Sequence, residues 1–313
     1  MDTLKERLAF YERHYRPVAA WMLRPGDRVV LGNKEDRRCR FCGGSKPDVT
    51  FRTDAHALPE SIGNKGLLTL YECDDCNSAF GQGCENDFGN WSLPVRTMAR
   101  INGKGGIPSI KQGPGNAWRV DEYPTGLKIS VDETEGFWRD DVAEKTLTFT
   151  LKRGPHRPAG VARALFKMAL SVMPEEELPN FRQLLDWMKP SAVQKMAAPT
   201  PIFHTFAGGA WPSDVLRVAL LTRLSDETVM PYCFFTLGYG NELLQVAIPS
   251  VERDGQHLGK KMSVVPFPFC DDPAVVMSCT VRKLELFSDE IVKGDAVEIV
   301  LAYGDQLDRA AAE

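Results

Sequence analysis

The chain has 313 residues, 43% of them hydrophobic and 26% charged, with a formal net charge of -4 at pH 7. These proportions exclude a disordered polymer and a protein that grips nucleic acid by bulk positive charge, and they allow one large domain or two ordinary ones. The apolar runs are too short to span a bilayer, and the opening MDTLKERLAFYERHYRP lacks a secretory signal pattern, so a cytosolic protein is expected.

In chain order, Leu4, Leu8, Ala9, Tyr15, Val18 and Met22 follow a helical period that Pro25-Gly26 ends, which predicts a leading helix from Leu4 to Met22 within a lead-in of residues 1–38. Lys34, Arg37, Arg38, Arg40, Lys46 and Arg52 then form a local basic cluster, read either as phosphate contacts or as a solvated charged loop. From Cys39 to about Trp91 the composition turns to cysteine, glycine, asparagine and charge, with extended pieces at Val49–Leu58 and Leu67–Glu72. That is the pattern of a small metal-stapled unit whose own core is too small to stand alone. The unit is placed at residues 39–100.

Of the eight cysteines, Cys39 and Cys42 form one C-x-x-C pair and Cys73 and Cys76 another. Two such turns can surround zinc tetrahedrally with four thiolates, so a structural Zn²⁺ is expected there. Cys84, Cys233, Cys270 and Cys279 lack such spacing and read as buried apolar residues. The Gly/Pro-rich passage from Ile101 to Trp118 reads as a connecting loop or hairpin, and its GKGG lacks phosphate-loop spacing.

Residues 101–313 read as a mixed α/β companion domain of open role. Thr146–Leu151 is a predicted strand, and Val161, Leu165, Met168 and Val172 share one helical face. Asn180 is the expected cap of a second helix running to Lys189. Further strands are expected at Val215–Leu221, Tyr232–Leu237, Leu243–Ile248, Ser263–Phe267, Val275–Leu286 and Ala296–Ala302. His156, His204 and His257 stand apart from other chemistry-bearing residues and read as structural. The overall expectation is an α+β protein.

Between the cysteine pairs the chain reads F51-R-T-D-A-H56-A-L-P59-E-S-I-G63-N64-K-G-L67, followed by C73-D-D-C76-N77-S-A-F-G. Cutting a phosphodiester needs a base to take a proton from water and a cation to steady the growing negative charge. His56 suits the base at neutral pH, with its tautomer fixed by a backbone carbonyl or by Asn64, and Asn77 offers an amide oxygen to a hard ion such as Mg²⁺, Mn²⁺ or Ni²⁺. As a whole the segment resembles the HNH endonuclease family, and the chain is similar to stand-alone bacterial members with a C-terminal companion domain. The resemblance implies a ββα-metal finger with His56 on its first strand, Asn64 in the connecting loop and Asn77 at the helix start as catalytic residues.

Many family members carry an acid immediately before the histidine, where this chain has Ala55. Residues two apart on a strand share a face, which makes Asp54 a replacement metal ligand; Glu85 and Asp87 are further candidates, with plain surface acids as the alternative. The resulting expectation is a metal-dependent DNA endonuclease, with bacterial defence as a setting by analogy. The alternatives are an inactive zinc-stabilised nucleic-acid-binding module and a ligand-sensing protein led by its companion domain. A homodimer and an activating ligand or partner protein are the associated expectations.

Overall fold

The computed structural model describes residues 4–113, 118–124, 126–131, 137–192, 200–257 and 259–303. Helix α1 (Leu4–His14) stops well before Met22, and the chain continues directly as strand β1 (Tyr15–Leu23). Pro17 accounts for the difference. It removes a helical donor and disfavours the α conformation at Arg16, whereas on an edge strand beside a register shift it is tolerated.

Strands β2 (Val29–Leu31), β3 (Ala55–His56) and β4 (Leu67–Thr69) form a small sheet in which β4 runs parallel to β2 and antiparallel to β3. Helices α2 (Asp74–Gln82) and α3 (Cys84–Met98) follow. The Gly/Pro-rich passage contains β5 (Ile110–Gln112), and its residues 114–117 lie outside the described residues. With β6 (Trp118–Tyr123) and β7 (Gly126–Val131), β5 makes an antiparallel sheet, and β8 (Trp138–Asp141) and β9 (Thr146–Lys152) begin another.

Helix α4 (Pro158–Val172) starts at a proline in its first turn and covers the predicted helical stretch. Asn180 does not cap the next helix. A 3₁₀ turn (Glu175–Phe181) precedes α5 (Arg182–Met188), and the Asn180 amide donates instead to Glu177 and Tyr232. Strands β10 (Ile202–Phe206), β11 (Leu216–Arg223), β12 (Cys233–Tyr239) and β13 (Glu242–Ile248) lead to the short α6 (Val251–Asp254). Ser263–Phe267 is not a strand, because Gln245 accepts from the Phe267 N–H and donates to Val265, replacing a ladder. Val275–Leu286 is divided into α7 (Pro273–Ser278), capped by Asp272, and β14 (Thr280–Leu284). β15 (Ala296–Ala302) completes the sheet with β9 and β8.

The largest sheet has the order β1-β11-β12-β13-β10-β14, antiparallel throughout. The architecture is therefore mixed α+β, and the expected lead-in contributes an edge strand to the companion's sheet. One continuous apolar core runs across the expected boundary near residue 100, joining Phe41, Phe80 and Trp91 to Leu165, Phe166, Phe235 and Val246. Among the described residues no helix is long and apolar enough to cross a membrane. Cys84 and Cys233 are buried as expected, but Cys270 and Cys279 are only partly covered.

Helix α4 lies at the centre of that core and is buried on nearly all sides from Val161 to Val172. Residues of the metal-stapled unit satisfy its ends. Asp87 on α3 accepts from the Arg157 N–H at the start of α4 at 3.0 Å, and Arg40 donates to the Leu170 and Met173 carbonyls at its end. An acid at the N-terminus and a cation at the C-terminus are the signs that a helix dipole favours. Asp87 is thus a cap and not a surface acid. Arg40 also stacks on Tyr71 at 3.9 Å. Replacing Arg40 by Ala orphans two carbonyls, so we expect a loss of about 2 kcal/mol in chemical denaturation, still as a single transition because the core is shared. Two separate transitions would contradict the continuous core.

Candidate active site

The four paired cysteines converge, with all their sulfurs within 4.8 Å of one another. Cys39 and Cys42 lie in a turn closed by Gly43 N–H to Cys39 O at 2.8 Å and Cys39 N–H to Gly44 O at 2.8 Å. Gly43 has φ of 76°, a left-handed conformation that a side chain strains. Cys73 precedes α2 and Cys76 sits in its first turn. The Cys42 and Cys73 sulfurs are 3.7 Å apart, close to the ~3.8 Å edge of a tetrahedron with Zn–S bonds of about 2.3 Å. The cluster can therefore hold a zinc ion. Phe41 and Phe80 pack edge to face behind it at 4.8 Å.

One turn of α2 links this cluster to a cavity of about 640 Å³ whose lining includes Asp54, His56, Glu60, Asn77, Glu85, Asn86 and Lys104. His56 is presented by β3, where Ala55 and His56 pair with Thr69 and Leu68. The loop leading to it is tied to the start of α2, because the Asp74 carboxylate accepts from the Thr50 hydroxyl at 2.5 Å and the Arg52 N–H at 3.0 Å. Those bonds hold its carboxyl below the usual range. His56 is half-buried, its Nδ1 is enclosed without a hydrogen-bond partner, and its Nε2 is 3.8 Å from Glu60 Oε1. Burial lowers its pKa, with Glu60 opposing that shift and Lys167 adding to it.

Asn77 lines the same cavity from the first turn of α2, and Glu85 from the first turn of α3. Asp54 also lines it, with Oδ1 accepting from Arg37 at 2.7 Å. Asn64 takes no part in the cavity lining. It is buried, donates to Leu58 O and Leu67 O, and accepts from the Leu67 N–H at 2.9 Å, so it staples the loop between β3 and β4. The group beside the His56 ring is Glu60, not Asn64.

The basic cluster divides in two. Arg37 and Arg40 are engaged with Asp54, Phe51 O and the end of α4, while Lys34, Arg38, Lys46 and Arg52 are exposed. Sequence reading missed Glu60, Lys104 and Lys167. Glu60 had a local signal in its position four residues beyond His56, but Lys104 and Lys167 come from outside any motif. Lys167 on α4 is fully buried, with Nζ 3.0 Å from Glu72, 2.9 Å from Glu85 and 3.3 Å from the His56 carbonyl.

A cysteine-stapled unit that presents a half-buried histidine and a helix-borne asparagine to one acidic cavity is the arrangement of a ββα-metal nuclease finger. Residues 39–92 match the family described as HNH endonuclease, and that segment is an HNH unit. The family acts on nucleic acid. No curated protein and no solved structure matches the chain.

If the sulfurs hold zinc, the purified protein should carry one Zn²⁺ per chain by elemental analysis. Cys73→Ser should lower that content and the melting temperature together, because the unit's core depends on the ion. Full thermal stability in a metal-free protein would refute a structural role.

Proposed function

We propose that this protein is a metal-dependent endonuclease that hydrolyses phosphodiester bonds in DNA with His56 as general base. The observation that carries this reading is the shared cavity, in which a half-buried imidazole stands beside a carboxylate and shares the lining with the oxygen donors Asn77 and Glu85. Burial keeps His56 neutral at neutral pH and so able to accept a proton. When it takes that proton from water, the hydroxide adds to phosphorus and the P–O3′ bond breaks. Glu60, 3.8 Å from Nε2, then steadies the imidazolium.

The donor set suits a hard divalent ion, Mg²⁺, Mn²⁺ or Ni²⁺, because an amide oxygen and carboxylates surround one space. Asn77 and Glu85 would hold it, with Asp54 contributing the oxygen that Arg37 leaves free. When bound, such an ion stabilises charge on the phosphate and the leaving oxygen. Asn64 acts at a distance by fixing the β3–β4 loop. Lys104 at the cavity and the exposed Lys34, Arg38, Lys46 and Arg52 are the groups available to DNA phosphates, and their contribution should weaken with salt. Cutting both strands with one site calls for two copies or two binding events, and the companion domain is the place for target choice or gating by a ligand or partner.

The second reading is a finger that binds nucleic acid without cutting it. Ala55 and the ion pair that engages Asp54 favour it. A plasmid assay with each ion separates the two. We expect nicking or cutting that EDTA stops and that His56→Ala reduces by about 10² to 10⁴-fold. Binding without cleavage in every metal would establish the second reading.

The pH dependence gives a further check. The acid limb of kcat/KM should fall below the ordinary histidine value of about 6.5, since burial lowers the pKa of His56. Glu60 raises that pKa, so Glu60→Gln should move the limb to still lower pH. A limb moving upward would remove His56 from the role of base.

A further inference from the structure

Lys167 is the one charged side chain in the buried run of α4 from Ala164 to Val172, and it lies outside the segment that matches the HNH family. Its ammonium touches three separate parts of the HNH unit: Glu72, immediately before the zinc-cluster residue Cys73; Glu85, in the first turn of α3; and the carbonyl of His56 on β3. Lys167 and Glu72 are sealed from solvent, whereas the Glu85 side chain keeps 17% exposure and lines the cavity. Burial opposes the charge on Lys167, but Glu72 and Glu85 outweigh it, so the amine stays protonated.

Stability alone gives a poor reason for this arrangement. A buried ion pair gains little over apolar side chains of the same volume, because desolvation offsets the attraction. Its distinctive effect is geometric. Without Lys167 the Glu85 carboxylate has no described partner to fix its rotamer, and the His56 carbonyl loses its only donor outside the small sheet among the described residues.

We propose that Lys167 is a positioning residue of the nuclease site: from α4 it fixes Glu85 in the cavity lining and braces the strand that carries His56. The proposal rests on the reading of that cavity as the active site. It implies that the HNH segment is incomplete without α4.

Lys167→Met alone leaves Glu72 buried without a partner, a change that is strongly destabilising in itself. The test therefore uses the uncharged pair K167M/E72Q, which leaves no buried charge unpaired and keeps the formal net charge unchanged. The full-length, zinc-loaded protein is compared with K167M/E72Q, E85Q and the triple variant. Mn²⁺ affinity is read by electron paramagnetic resonance, and kcat and KM by plasmid cleavage. The affinity cycle can be read even on a protein that cuts nothing, so its failure is distinguishable from failure of the nuclease reading.

The expected result is a Mn²⁺ Kd raised about tenfold in K167M/E72Q, the size typical of losing a partner behind a metal ligand. It should be accompanied by a similar fall in kcat, unchanged KM and unchanged zinc content. The triple variant should be no weaker than E85Q, because Lys167 acts through Glu85. Fully additive losses, or wild-type Mn²⁺ affinity and kcat in K167M/E72Q, would overturn the proposal.

Discussion

The structure depends on how α4 is kept inside the core. A helix buried on nearly every side must have its end groups and any charged side chain satisfied by protein, since water cannot reach them. The HNH unit supplies a partner at each end and for Lys167, while Arg163 donates to carbonyls at the end of α5 and the Ala159 N–H to Ser288 O. Asp87 takes the N-terminal donor, Arg40 fills the C-terminal carbonyls, and Glu72, Glu85 and the His56 carbonyl surround Lys167. The dependence is mutual, because a zinc-sized finger has too little apolar surface of its own and Phe80 and Trp91 bury theirs in the same cluster as Leu165 and Phe166. The matched segment, residues 39–92, and the rest of the chain share one apolar core.

Within that frame α2 separates two tasks along one turn. Cys73 and Cys76 turn inward to the sulfur cluster, while Asn77, about 100° further round the helix, lines the cavity. The cluster brings the Cys39–Cys42 turn to the start of α2, and His56 and Asn77 line one cavity. Asp74 adds a second tie on the same turn by gripping the backbone before β3. The position of His56 is therefore determined from both ends of its strand, by the α2 start on one side and by β4 pairing on the other.

What the sequence revealed follows from the range of each interaction. Metal-ligand spacing is local, so the cysteine pairs were legible, as were His56 and Asn77 in their motif. The α4 and β15 segments were legible because their apolar periods are strong. β8, reading WRDD and exposed along its length, has no alternation to detect, and β1 was taken for helix because tertiary pairing with β11 overrode a loose 3.6 period. Asn64 lies in the loop between β3 and β4 with its amide occupied by Leu58 O and Leu67, a pairing that no local pattern marks. Lys167 had one faint signal, a cation within the apolar run from Ala164 to Val172. Such a residue must be paired once buried, yet nothing local names its partners, which are 95 and 82 residues away.

The cavity acids show how the site accommodates alanine at position 55. Asp54 is held by Arg37, Glu60 stands by His56, and Glu85 is held by Lys167, so each carboxylate has a basic neighbour from a different part of the chain. Lys167 is shared between Glu85 and the sealed Glu72. Glu85, on the first turn of α3, and Asn77, on the first turn of α2, line the same cavity. An acid that the motif would place on the strand is absent, and a carboxylate in contact with α4 lines the same cavity. In this chain the acidic pole of the site is thus set by a long-range contact, which explains why a local motif locates the histidine and asparagine but not the charge that faces them.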